Sequence, residues 1–309
     1  MKKHVFWSFL LALPLAFTLV SCDDDDPVQP EPPNIVEIAA DDPQFSILVS
    51  ALQRTGLDAT VQGLSDATVF APTNSAFNAL GVDLNALTDE ALSEILLYHV
   101  IAGTTITSGE IADGQTYVNT AATTGPDGTA LSVMIEKDAT GVSVNGSINV
   151  VAADITGSNG VIHVVDAVIM PLDIVGHAVA NSNFTELVGA LGAASGDLVS
   201  ILSGDGPFTV FAPLNSAFEA ISDVVAGLDA DQLASVLTYH VVGGANVRST
   251  QLTDGQQVST VNGSSFTVNL GAGATITDSQ GNTVEIILTD VQATNGVIHV
   301  LDAVILPQL

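Results

Sequence analysis

Phe70-Ala71-Pro72-Thr73-Asn74-Ser75-Ala76-Phe77 decides how the chain is read, because it is written twice: it returns as Phe211-Ala212-Pro213-Leu214-Asn215-Ser216-Ala217-Phe218. At the same offset Tyr98-His99-Val100 returns as Tyr239-His240-Val241. A third block, Asn159-Gly160-Val161-Ile162-His163-Val164 with Val165-Asp166-Ala167-Val168-Ile169 behind it, is matched at a slightly shorter offset. Its copy is Asn295-Gly296-Val297-Ile298-His299-Val300 with Leu301-Asp302-Ala303-Val304-Ile305. Three blocks in one order mean a duplicated unit. The period far exceeds the roughly 20–50 residues of solenoid repeats, so each copy is a domain. The expected domains are 34–172 and 173–309.

A chain of 309 residues accommodates two such domains, each long enough for its own core. Hydrophobic content of 47% with 13% charge is globular composition. Five basic residues face 34 acidic ones. A surface that negative repels phosphate backbones, which excludes a nucleic-acid partner.

The N-terminus reads as an export address. Met1-Lys2-Lys3 is positive, and Val5 to Val20 is an apolar run too short for a comfortable membrane span. Leu19-Val20-Ser21-Cys22 resembles the lipobox of bacterial lipoproteins, which implies cleavage of a signal peptide at 1–21 and lipidation of Cys22. Cys22 is the only cysteine, so no intrachain disulfide forms. Asp23 to Asp26, then Pro27, Pro30, Pro32 and Pro33, make residues 22–33 an extended acidic tether. An acidic run behind an acylated cysteine also resembles the signal that sends lipoproteins to the outer face of the outer membrane. The expected location is therefore the cell surface, with the membrane reached through the lipid anchor.

Phe45, Leu48, Val49 and Leu52 fall at helical spacing, as do Phe184, Leu187, Val188 and Leu191. Thr68-Val69-Phe70 and Thr209-Val210-Phe211 read as buried strands stopped by Pro72 and Pro213. Asn74 and Asn215 suit helix N-caps, and Thr88 caps a longer helix that ends in Tyr-His-Val. The rest of each unit is strand-like, broken at Asp113-Gly114, Asn145-Gly146, Asp254-Gly255 and Asn262-Gly263. Each unit closes on its most apolar strand, Val161 to Met170 or Val297 to Leu306, which reads as central and covered on both faces. Helices early and strands late make the class α+β. The short join between Pro171-Leu172 and Ile174-Val175 implies restricted motion between the units.

Those three blocks resemble the fasciclin (FAS1) domain family across residues 34–309. The resemblance implies two tandem β-wedge domains with helices packed around the strands, a role in cell adhesion or matrix contact, and no enzymatic activity. In some animal members a Tyr-His motif and an Asp-Ile pair mediate integrin-dependent adhesion. Tyr98-His99, Tyr239-His240 and Asp154-Ile155 match those motifs, while the second unit has Asp290 followed by Val291. Leu214 in place of Thr73 removes a hydroxyl that could bond the local turn.

Other chemistry finds little support. His99, His163, His240 and His299 lack the spacing of a metal site, and His163 and Asp166 point to opposite faces of a strand. They read as half-buried structural histidines whose rings bond backbone near the Pro turn. Tyr98 and Tyr239 read first as core aromatics. No Gly-x-Ser-x-Gly elbow, phosphate loop or EF-hand pattern occurs, and Trp7, the one tryptophan, lies in the leader. No cofactor or metal is expected. The expected function is a non-catalytic surface lipoprotein that binds a protein or matrix polymer. The alternative is a module that takes a small ligand or polysaccharide between its domains.

Overall fold

Both copies follow one order of elements, with one short helix added in the second, in the computed structural model, which describes residues 32–271 and 273–308. The expected leader, Cys22 and the tether up to residue 31 lie outside the described residues. The first copy opens with helices α1 (Ile35–Asp41), α2 (Ser46–Thr55) and α3 (Leu57–Gln62). Strand β1 (Ala67–Pro72), helices α4 (Asn74–Ala79) and α5 (Asp89–Tyr98) and strand β2 (Val100–Ile101) follow. Strands then take over: β3 (Gly114–Asn119), β4 (Ser132–Asp138), β5 (Gly141–Val144), β6 (Ile148–Gly157) and β7 (Gly160–Val165). The second copy begins with α6 (Ile174–Ala180), α7 (Thr185–Ala193), α8 (Leu198–Leu202) and β8 (Phe208–Pro213). Helices α9 (Asn215–Ala220), α10 (Ser222–Ala226) and α11 (Ala230–Tyr239) lead to β9 (Val241–Gly243). It finishes with β10 (Gln256–Ser259), β11 (Ser265–Leu270), β12 (Ala274–Thr277), β13 (Thr283–Ala293) and β14 (Gly296–Leu301).

The class is α+β: two tandem domains, each a barrel-like seven-stranded sheet with helices against it. The strand orders are β2-β1-β7-β6-β5-β4-β3 and β10-β11-β12-β13-β14-β8-β9. Early strand β1 lies parallel to final strand β7, from Ala67 opposite Gly160 to Pro72 opposite Val165. The first and third repeated blocks are thus neighbours in space. Both strands are covered on two sides. Val69, Ala71, Ile162 and Val164 join a core beneath the helices, whereas Phe70 and Val165 join Tyr98, Leu131 and Val133 in a core enclosed by the sheet. The second domain repeats the division, with Val210 and Ile298 in one core and Phe211, Tyr239 and Phe266 in the other. Each fully buried apolar side chain here contributes about 1.5–3 kcal/mol.

Parallel packing also explains the Asn-Gly pair. A Cβ on Gly160 would lie 2.0 Å from the Ala67 carbonyl oxygen, and one on Gly296 would lie 2.2 Å from that of Phe208. The preceding asparagines accept the first amides of the leading helices: Ile35 N–H donates to Asn159 Oδ1 at 2.9 Å and Ile174 N–H to Asn295 Oδ1 at 3.0 Å.

Three local expectations need correction. Helix α4 is capped by Thr73, whose hydroxyl accepts from Ala76 N–H, and its counterpart Leu214 supplies no cap. Asn74 and Asn215 instead reach another element: their Oδ1 atoms accept from Ile47 N–H in α2 and Glu186 N–H in α7. The closing strands stop at Val165 and Leu301 instead of running to Met170 and Leu306. Beyond them the Ile169 and Ile305 amides turn inward to histidine rings. The four repeated histidines are fully buried, not half-buried, since His99, His163 and His240 each expose only 2% of their surface and His299 none.

From Pro32 onward the chain forms one compact unit, and the contact between its two domains is specific. Gln292 N–H in β13 donates to Ser132 Oγ in β4 at 2.9 Å. Asn181 Nδ2 donates to Tyr117 Oη at 3.0 Å, and Asn183 Nδ2 to Gln115 Oε1 at 2.8 Å. Gly146 lies so near the Ala180 carbonyl oxygen that a Cβ would approach it to 2.1 Å.

Candidate functional site

Tyr98 and His99 end α5 with both rings turned inward. Tyr98 Oη donates to the Ser132 carbonyl at 2.8 Å and accepts from Asn145 Nδ2 at 3.3 Å, stitching helix to sheet. Burial pushes its phenol up to about 12. His99 Nδ1–H donates to Ile95 O at 2.7 Å, and Nε2 accepts from Ile169 N–H at 2.8 Å. The ring is therefore a neutral Nδ1–H tautomer, held down to about 4 by burial. Tyr239 and His240 repeat the arrangement with Ser265 O, Ser279 N–H, Val236 O and Ile305 N–H. Tyr98, His99, Tyr239 and His240 are thus all buried, and none of these four offers a side chain to a partner in this conformation. Their burial follows from sequence position: each pair sits where a helix must close onto the sheet.

Asp154 and Asp290 lie elsewhere, on irregular stretches of β6 and β13. The register against the neighbouring strand shifts between Val150 and Ala152 and again before Ile155, with matching shifts from Ile286 to Val291. Asp154 (φ 62°) and Asp290 (φ 64°) take the left-handed conformation that aspartate tolerates better than most residues. Each carboxylate is locked. Asp154 accepts from the Ser108 amide and hydroxyl, and Asp290 from the Ser249 amide and hydroxyl. The Ser108 bonds hold the Asp154 carboxyl below its ordinary range. Behind each bulge sits the histidine of the third block. His163 Nε2–H donates to Ile106 O at 2.8 Å, and Nδ1 faces Asp154 N–H at 3.4 Å; His299 does the same with Val247 and Asp290.

The bulge turns apolar side chains to solvent immediately before the locked carboxylate. Val151 is 60% exposed, and Ile287 and Leu288 are 46% and 40% exposed. Ala152, Ala153 and Asp154 are exposed beside them, while Ile155 is half-buried and Val291 buried. Sequence reasoning missed Val151, Ile287 and Leu288, as well as Ser108 and Ser249. One signal was present: Val150-Val151-Ala152-Ala153 and Ile286-Ile287-Leu288 break the alternation of a one-sided strand.

His163 and Asp166 are not brought together, because Asp166 bonds the Asn149 amide and side chain. Among the described residues no three His, Cys, Asp or Glu side chains converge as a metal site would need. The repeated histidines spend both ring nitrogens on backbone, so none is poised as a base.

A family model described as the fasciclin domain matches residues 43–171 and again 182–307. The chain belongs to the fasciclin domain family. Among fasciclin relatives, Protein sll1483 of Synechocystis is 41% identical over 143 residues, covering 45% of this chain and 75% of its own. Transforming growth factor-beta-induced protein ig-h3 of Sus scrofa is 28% identical over 256 residues, or 80% of this chain. That alignment takes in 35% of ig-h3, so this chain spans about a third of it. A solved FAS1 domain pair from the insect cell adhesion molecule fasciclin I shares the fold with a TM-score of 0.51 at 19% identity. It covers 86% of this chain and 97% of that one. No helix among the described residues is long and apolar enough to cross a membrane.

Proposed function

We propose that this is a non-catalytic adhesion protein that grips a protein or matrix polymer through the two bulges, Val151–Asp154 and Ile287–Asp290. The observation that carries this reading is duplication of an exposed apolar group beside an immobilised carboxylate. Exposed apolar side chains beside a fixed charge supply both burial and orientation in a contact, and a rigid carboxylate loses little entropy on binding. The similarity to a pair from a cell adhesion molecule supports the same reading. The proposed location is outside the cell at the outer membrane surface, on a lipid carried by Cys22, and it is supported by the resemblance of Leu19-Val20-Ser21-Cys22 to a lipobox and by the acidic run behind it. The test is attachment of protein-coated beads to cells and matrix. Val151→Asp with Ile287→Asp should abolish attachment without moving the melting temperature, and undiminished attachment would defeat the proposal.

A second reading rests on a groove of about 740 Å³ where the domains meet, bordered by Pro126, Pro171, Asp173, Asp205 and Asn295. A small ligand or polysaccharide bound there would raise the melting temperature with defined sugars and leave bead attachment untouched by the bulge substitutions.

A further inference from the structure

His177 is the one histidine of the folded region that the repeat does not share. The matching bonds of Ile35 to Asn159 and Ile174 to Asn295 align α1 with α6, which sets His177 where the first domain has Ile38. The ring is 1% exposed, and among the described residues it is the only buried side chain whose polar atoms lack a hydrogen-bond partner, at both nitrogens. One side faces the core of the second domain. On the other lies Tyr117 of β3, in the first domain, with ring centroids 5.8 Å apart. Tyr117 is itself held by Asn181, one residue past the end of α6. A buried imidazole without partners is costly even when neutral, and costlier still when charged.

We propose that His177 makes the junction between the two domains a proton-sensitive latch, closed while the ring is neutral and released when it takes a proton. The groups around it cannot hold a charged ring in place. On its own helix Asp173 favours the proton, but its Oδ1 is engaged with Gly176 N–H at 2.6 Å. From β13 the Gln292 backbone lies near without hydrogen-bond geometry. From β3 the facing group is the neutral Tyr117 phenol. From α7 the titratable group is exposed Glu186, and from β14 it is His299, already bonded to Val247 O. Helix α8 and the 182–184 turn bring none. Burial keeps the ring neutral down to about 4 while the junction is closed. An opened junction returns it to water and its ordinary value near 6.5. The open state therefore gains from every step of acidification between those limits. Opening is the short route to water, since the other side of the ring is core; it breaks the polar contacts between the domains and draws Tyr117 off the second-domain core against which it packs.

The test is energy transfer between dyes at Gln62→Cys and Val224→Cys, exposed positions in the two domains, on the full chain with Cys22 blocked, at pH 7, 5.5 and 4.5. The open population should rise up to tenfold per pH unit below 6.5. His177→Ile, which installs the residue of the first repeat, should abolish that rise. His177→Gln, also unable to titrate, should give a flat response if the isoleucine variant fails to fold. A rise of equal steepness in either folded variant would overturn the proposal, as would a junction that stays closed at pH 4.5 in the parent chain.

Discussion

His99 and His240 use both ring nitrogens, one donating and one accepting, so a second proton removes an acceptor from a backbone amide that has no other partner. Their buried rings titrate near 4, below the ordinary 6.5, which fixes the sign. The contribution of these two rings to stability is complete above pH 6.5, declines as pH falls toward 4, and levels off below. Each ring contributes a slope of about 1.4 kcal/mol per pH unit in that window. Urea unfolding at pH 7, 6, 5 and 4 should show this loss, and a midpoint constant from pH 7 to 4.5 would contradict it. Gly160 makes a second prediction at this scale. Its φ of 152° and the 2.0 Å approach of the Ala67 oxygen leave no room for a methyl group. Gly160→Ala should cost at least about 3 kcal/mol, measured by chemical denaturation.

The elements were largely legible from periodicity, because the helices and the covered strands carry strong apolar patterns. What could not be read was where polar side chains reach. Asn74 stands at the start of a helix and reads as its cap, yet its oxygen serves α2, brought alongside only by tertiary packing. Asn74→Ala should therefore cost about 1–2 kcal/mol, with hydrogen exchange accelerated in the first turn of α2 and not in α4. Acceleration confined to α4 would restore the local reading. The bulges were hidden for a similar reason. A register shift is a property of two strands together, and a single strand such as Val150 to Ile155 shows only that its alternation fails. The Tyr-His pair was legible as a repeated motif, but its burial depends on how α5 meets β4 and the Asn145 turn.

At the scale of the whole molecule, duplication gives two similar surfaces, and divergence between the copies welds them together. Gln292, Asn246, His177 and Tyr117 make the junction; Ile38 replaces His177 in the other copy, and no second junction of this kind is present among the described residues. The two bulges keep the same locked carboxylate while their apolar residues vary. The decisive comparison is attachment and melting temperature measured on the same preparations of two double variants. Tyr98→Phe with Tyr239→Phe removes two buried hydroxyls, each engaged in two hydrogen bonds, at about 1 kcal/mol or more per hydroxyl, so it should lower the melting temperature by several degrees and leave attachment intact. Val151→Asp with Ile287→Asp should do the reverse. Attachment lost with the tyrosine hydroxyls at unchanged stability, and kept when the bulges are charged, would contradict the account.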